Sequence, residues 1–243
     1  MKLKDLLNLN RGDIVSIVGA GGKTTFMYSL AEELRNESKV LVTTTTKIYM
    51  PEKKYYDFVS IGEGSFDKFN NHNGIYLYGK CVNSENKIIG LNENVIDNKL
   101  SYFDYILIEA DGSKKKPIKG WKDDEPVVIN NTKKTIGIID IEVIGKEINN
   151  DNVHRLEKFI NITKMKENDL INIAGLVSLI YHNKGLFKDS KGEKILFINK
   201  VEGLGKRELA YKLITCILEK NKGYIDRIIS GSLKNKEYSL IKL

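Results

Sequence analysis

Apolar positions along the chain fall into short β-branched runs, separated by stretches in which they recur at helical spacing, and most runs end on a polar or glycine-rich exit. Asp13 to Val18 (DIVSIV) is one such run and stops at a glycine cluster; Thr24 to Leu34 then carries apolar residues at helical intervals, which predicts strand, loop and helix in that order. Val40 to Val42 is a second run, ending in four threonines, and predicts a buried parallel strand whose exit loop starts at Thr43. The interval between the two strands fits one crossover helix. Tyr105 to Ile108 (YILI) reads as a strand ending in Glu109-Ala110-Asp111-Gly112, and Thr135 to Ile141 (TIGIIDI) as a further one. Val153 to Phe159 and Glu167 to Leu179 read as helices, and Ile195 to Ile198 as a strand followed by Asn199-Lys200-Val201-Glu202. Gly205 to Glu219 is a long amphipathic helix with Leu209, Leu213 and Ile217 on one face, and Ile225 to Ser230 closes the series as a strand. Strands alternating with helices predict a three-layer α/β fold around a mostly parallel sheet. Between Pro51 and Leu100 the pattern loosens into aromatic-rich pieces such as Ile75 to Tyr78, read as a small, partly antiparallel insertion over about residues 51–100.

Composition narrows the class. At 243 residues, with 41% hydrophobic and 29% charged residues, the chain is expected to form one globular domain over residues 1–243. No apolar run approaches the ~20 residues that span a bilayer, and no signal-peptide pattern opens the chain, so a cytoplasmic protein without a membrane partner is expected. Cys81 and Cys216 are far apart and have no metal-like spacing, so neither a disulfide nor a metal site is assigned to them. A net charge of +7 would suit nucleic acid, but the lysines are scattered rather than gathered in an arm, and nucleic acid is not expected as a partner. Only Lys114, Lys115, Lys116 and Lys119 look placed.

Between the first strand and its helix lies Gly19-Ala20-Gly21-Gly22-Lys23-Thr24-Thr25, the context that turns a glycine-rich match into a phosphate loop. Glycines let the backbone wrap and present N–H groups, and the helix N-terminus adds unpaired donors and partial positive charge. Lys23 is expected on the β- and γ-phosphates of a nucleoside triphosphate and Thr24 on Mg²⁺. The usual loop has a glycine where this chain has Ile17, so a shorter or differently curved loop is expected, similar to the G-T-x-G-K-T-T of Mur-ligase-type enzymes. An ordinary strand-to-helix turn with an exposed lysine is the bland alternative.

Ligands in open parallel sheets bind at the carboxyl ends of strands, which singles out three exits. Thr44, Thr45 and Thr46 either order Mg²⁺-bound water near the γ-phosphate or continue a strand with satisfied hydroxyls; Lys47 follows. Glu109 and Asp111 leave YILI in the manner of a Walker B site as candidate metal ligands, with Asp111 the preferred carboxylate and a catalytic candidate beside Lys23. Gly112 would let the backbone approach the γ-phosphate, and Lys114 to Lys116 either neutralise a second anion or form a solvated loop. Asn199, Lys200 and Glu202 resemble the Asn-Lys-x-Asp that reads guanine in GTPases, with glutamate one methylene longer, leaving GTP and ATP both open. Ser230-Gly231-Ser232 could line a base pocket. His154 and Arg155 open a helix, where the arginine would act on transition-state charge or serve as a surface cap.

Taken in order, GAGGKTT, VTTTTKI, EADGSKKKPIK, DEPVV, VHR and NKVE span nearly the whole chain, and the set resembles the YqeC family, accessory proteins of selenium-dependent molybdenum hydroxylases. The resemblance implies a P-loop NTPase-like fold and action in maturation of the molybdenum cofactor or its selenium ligand, with a molybdenum hydroxylase or cofactor-maturation proteins as partners. The expected activity is Mg²⁺-dependent hydrolysis of a nucleoside triphosphate. A kinase or ligase using the γ-phosphate on a small acceptor, and a non-catalytic binder of a pyrophosphate-containing molybdopterin cofactor, are the alternatives.

Overall fold

A computed structural model of the chain describes residues 1–62, 72–98 and 100–242, except the side chain of Leu100; the parts of the expected insertion at 63–71 and 99 lie outside the described residues. In chain order the elements are α1 (Leu3–Leu6), β1 (Asp13–Gly19), α2 (Lys23–Leu34), β2 (Lys39–Thr44), β3 (Lys47–Tyr49), β4 (Phe58–Ile61), β5 (Gly74–Gly79), β6 (Cys81–Val82) and β7 (Lys87–Ile89). There follow α3 (Glu93–Asp97), β8 (Tyr105–Glu109), β9 (Ile118–Lys119), β10 (Lys134–Asp140), β11 (Val153–His154), α4 (Leu156–Thr163), α5 (Ile173–Tyr181), β12 (Glu193–Asn199), α6 (Gly203–Lys220), β13 (Arg227–Ser232) and β14 (Glu237–Ile241).

A nine-stranded sheet in the order β14-β13-β12-β10-β1-β8-β2-β5-β4 forms the middle layer, and its pairings are parallel except that of β13 with β14. Every residue of β1, β8 and β10 is buried, as expected of strands covered on both faces. Alternation along β12 shows the two faces: Ile195 and Phe197 pack with α1 and α2, whereas Leu196 and Ile198 pack with α4, α5 and α6. At the other end of the sheet Ile106, Ile108, Leu41 and Tyr76 form a further cluster under α3. Phe26 of α2 meets Phe197 edge-on at 4.9 Å between ring centres, a contact worth about 1 kcal/mol beyond its burial that fixes the helix over the sheet. The three-layer α/β fold with a mostly parallel sheet is therefore observed.

The insertion differs in detail from the expectation. Ile75 to Tyr78 belongs to β5, which with β4 extends the main sheet in parallel, and the antiparallel part is the small β3-β7-β6 sheet. The run 153–159 divides, because β11 pairs with β9 and Arg155 then adopts left-handed φ 60° before α4 begins. The expected helix from Glu167 starts only at Ile173: Asn172 caps it, its side chain accepting from Gly175 N at 2.9 Å, and Asn168 sits at φ 68° in the preceding turns. The first two hydroxyls of the threonine run lie within β2, which reaches Thr44.

Register decides what meets at the carboxyl edge. Glu109 lies beside both Ile17 and Thr44, Gly19 beside Ile138, and Asp140 beside Asn199. From β1 the chain proceeds outward through β2 on one side and through β10 on the other, so the exit of β1 is the topological switch point where open α/β sheets bind ligands.

Candidate functional site

The loop after β1 is short: the strand ends at Gly19 and the helix begins at Lys23, as the absence of a glycine at Ile17 anticipated. Gly19, Gly21 and Gly22 all have positive φ, at 100°, 80° and 137°. A Cβ on Gly21 would lie 2.3 Å from Asp140 Cβ, and one on Gly22 would lie 2.4 Å from the Asn199 amide nitrogen. Asn199 Nδ2 donates to Gly21 O at 2.8 Å, and Leu233 N donates to Asn199 Oδ1 at 3.3 Å, so this side chain braces the loop against the end of β13.

Lys23 is buried and its Nζ donates to Gly19 O at 2.8 Å, with Asp111 Oδ1 at 3.2 Å and Glu109 Oε1 at 3.6 Å. Burial opposes its charge, but Asp111 and Glu109 outweigh that and raise its pKa. Thr24 Oγ1 donates to Glu109 Oε2 at 2.6 Å. Burial pushes the Glu109 carboxyl up, against the opposing pull of Lys23 and Thr24.

Asp111 occupies a different setting from the metal-facing carboxylate expected. Its side chain is fully buried, and Oδ2 accepts from Gly19 N at 3.0 Å and Trp121 Nε1 at 2.6 Å, with Lys119 Nζ at 3.1 Å. Burial favours its neutral form, yet Lys119, Lys23 and these donors together hold its pKa below the usual carboxylate range. Among the described residues, Oδ1 accepts no hydrogen bond and is approached by the Lys23 ammonium alone, as an ion pair. Of the two carboxylates, Glu109 is the one that lines the cleft. Asp111 holds the loop's first amide and its lysine from beneath.

Arg155 also lines the cleft, but its guanidinium forms a two-pronged pair with Glu125, at 2.5 and 2.6 Å. Glu125 in turn lies 3.2 Å from Lys119, whose Nζ donates to Gly112 O at 2.6 Å. Pairing of β9 with β11 sets His154 opposite Lys119 and so brings Arg155 to this chain of charges. Burial first, then Arg155, Lys119 and Lys114, lower the His154 pKa to about 4.

The remaining site residues gather at the same edge. Lys200, in left-handed φ 63°, reaches Asp140 at 2.5 Å and Glu142 at 3.3 Å; Glu202 accepts from Ser232 Oγ at 2.7 Å. Thr44 Oγ1 donates to Glu109 O and Thr43 Oγ1 to Tyr78 O, so these two hydroxyls are satisfied within the sheet, while Thr45 and Thr46 line the cleft. One cleft of about 1010 Å³ is lined by Gly21, Gly22, Lys23, Thr24, Thr25, Glu109, Arg155, Asn199, Lys200 and Glu202; Gly19, Ala20 and Asp111 lie beneath it. Asp140, Glu125 and Trp121 were missed in the sequence. Asp140 had a signal, as the carboxylate ending an apolar strand, and Glu125 had one in the motif DEPVV, whereas Trp121 lies in a loop with none.

Among the described residues no group of histidine, cysteine and carboxylate side chains forms a metal cluster, both cysteines are free, and no helix is long and apolar enough to cross a membrane.

Compared with known proteins, residues 15–157 match the family model described as YqeC protein, a span running from β1 to the start of α4. The chain is 30% identical over 202 residues to the Uncharacterized protein YqeC of Escherichia coli (strain K12), covering 81% of this chain and 79% of that one. No solved structure matches it significantly. The glycine loop, the Glu109 exit and the His154-Arg155 pair all fall within the matched span, and the chain belongs to the YqeC family.

Proposed function

We propose that the protein binds a nucleoside triphosphate with Mg²⁺ on residues 19–25, and hydrolyses it in the service of maturing a selenium-dependent molybdenum hydroxylase. The observation that carries this reading is the meeting of Lys23, Thr24 and Glu109 at the mouth of a cramped glycine loop that opens a twelve-residue helix. Loop amides and the helix N-terminus supply donors and positive potential for phosphate oxygens, and Lys23 adds a full charge.

The residues fit the metal. Thr24 and Glu109 present a hydroxyl and a carboxylate 2.6 Å apart, the oxygen donors that Mg²⁺ takes beside phosphate. When bound, the ion would offset phosphate charge as the anhydride is cleaved. Asp111 keeps Lys23 and the Gly19 amide in place, and Asn199 keeps the loop's far side in place. With both sides held, the amides are oriented before a ligand arrives, which lowers the ordering cost of binding. Asn199, Lys200 and Glu202 line the region next to the loop and are assigned to base recognition, for GTP or ATP. The client enzyme is proposed on the accessory role that the resemblance of the motifs implies.

Calorimetry with ATP, GTP and CTP, each with Mg²⁺, tests binding and ranks the bases. Lys23→Ala should abolish turnover and weaken binding by about tenfold or more. Undiminished hydrolysis in that variant would remove the proposal's support. Phosphate released only in the presence of an acceptor would instead favour a kinase or ligase, a reading helped by a cleft that extends past the loop to β3 and β7.

A further inference from the structure

The cleft is at the upper end of the ~300–1,000 Å³ usual for small-molecule sites, and the phosphate loop occupies only one side of it. Its other side is made by the segment after β8 and by the small antiparallel sheet, through Lys47, Tyr49, Lys87, Lys114, Lys115 and Lys116. Lys87 pairs with Glu85 at 2.6 Å and Lys115 lies 4.3 Å from the centre of the Tyr49 ring. Among the described residues, Lys47, Lys114 and Lys116 have no carboxylate within ion-pair distance, although elsewhere in the cleft the cations of Lys23, Lys200 and Arg155 are matched.

Two further observations mark this wall as more than a solvated face. Lys114 and Lys115 are consecutive non-glycine residues with left-handed φ, at 50° and 62°, a conformation costing about 1–3 kcal/mol per residue that persists only where the surroundings impose it. It holds the lysines at the cleft instead of letting the segment relax. His154, at the same wall, is kept neutral, and after burial the causes are the cations Arg155, Lys119 and Lys114, so the local potential is positive.

We propose that the end of the cleft walled by Lys47, Lys114 and Lys116 binds a second small molecule through a terminal phosphate, alongside the nucleotide. The proposal deepens the nucleotide reading and rests on it for the first ligand. Phosphate is preferred to carboxylate because the groups without an ion-pair partner among the described residues are several ammonium point charges, of which Lys47 and Lys114 feel Glu85 only at longer range, and together they match a dianion better than a single charge. Among the described residues lining the cleft, the guanidinium of Arg155, which could grip either anion, is already filled by Glu125. A phosphate ester carries about −1.5 to −2 charges near neutral pH, enough to engage several lysines at once.

The test titrates inorganic phosphate into the full chain, alone and then with Mg²⁺ and a saturating, slowly hydrolysed triphosphate analogue, following the His154 ring resonances by NMR. Phosphate should still bind with the analogue in place and raise the His154 pKa. Lys114→Ser with Lys116→Ser should weaken that binding about tenfold or more, with the thermal unfolding midpoint of the doubly substituted chain showing that it remains folded. Displacement of phosphate by the analogue, wild-type phosphate affinity in the double variant, or an equal loss of nucleotide affinity there would overturn the proposal. If the wild type binds no triphosphate, the nucleotide reading fails by itself. The second site then survives only if Lys23→Ala binds phosphate normally and the double variant does not.

Discussion

Glu109 and Asp111 are two residues apart and both buried, Glu109 at the cleft and Asp111 beneath it, yet their environments push them in opposite directions. Asp111 has two cations and two N–H donors, so its folded pKa is depressed; the stability it contributes is present above the ordinary carboxylate value and is lost as pH falls through the folded value. Glu109 has a raised folded pKa, so its ionised form opposes folding increasingly as pH rises from the ordinary value through the folded one. Glu109→Gln keeps an acceptor for Thr24 while removing that buried charge. Thermal unfolding at pH 7 should show the variant at least as stable as the wild type, and calorimetry should show Mg²⁺-dependent nucleotide affinity lost. His154 supplies a second pH signal. Its folded pKa of about 4 lies below the ordinary 6.5, so stability is full above 6.5 and declines as pH falls toward 4, where the unfolded chain binds the extra proton. His154→Asn should flatten the slope of unfolding midpoint against pH across that window; an unaltered slope would assign the acid sensitivity elsewhere.

At the scale of elements, the strand–loop–helix at residues 13–34 was legible because β-branched run, glycines and helical spacing all agree locally. The loop's curvature has a specific dependence. A Cβ at Gly19 would lie 2.4 Å from Ile138 O, a backbone atom of the adjacent strand, and φ there is 100°. Gly112, also in a loop of the site, has no atom within 4 Å of such a Cβ and no positive φ. Gly19→Ala should therefore cost about 1–3 kcal/mol in denaturant unfolding, while Gly112→Ala stays within about 0.5 kcal/mol. Equal costs would mean that close packing against β10 does not set the loop's shape. The pieces misread as helix, 153–155 and 167–172, failed for different reasons, the first long-range and the second local. A β9 partner more than thirty residues upstream captures Val153 and His154, and Asn172 caps the later helix after turns that a periodicity count does not register.

Across the molecule, alternating charges run from the loop to the opposite wall: Lys23, Asp111, Lys119, Glu125 and Arg155, with neighbours within 3.2 Å. Removing the middle member splits the chain into two separate pairs, Asp111 with Lys23 and Glu125 with Arg155. Lys119→Met should lower stability by about 1–2 kcal/mol, because Asp111 and Glu125 each lose one buried cationic partner while the desolvation of the ammonium group is relieved, as measured by denaturant unfolding. Since Asp111 also holds the Gly19 amide, nucleotide affinity should fall in the same variant. A variant as stable as the wild type would show that the chain of charges is incidental to the fold.

Local sequence carried the alternation of elements, the glycine loop with Lys23 and Thr24, and the polar exits of the strands at Glu109 and Asn199. It could do so because periodicity, glycine content and strand-end chemistry are encoded in neighbouring residues. Tertiary structure alone decided which strand exits share an edge, that Glu109 faces the cleft while Asp111 is locked beneath the loop, and that Arg155 is held by Glu125. Those outcomes depend on sheet order, on register and on the competition of buried charges for partners, and each brings together residues dozens of positions apart.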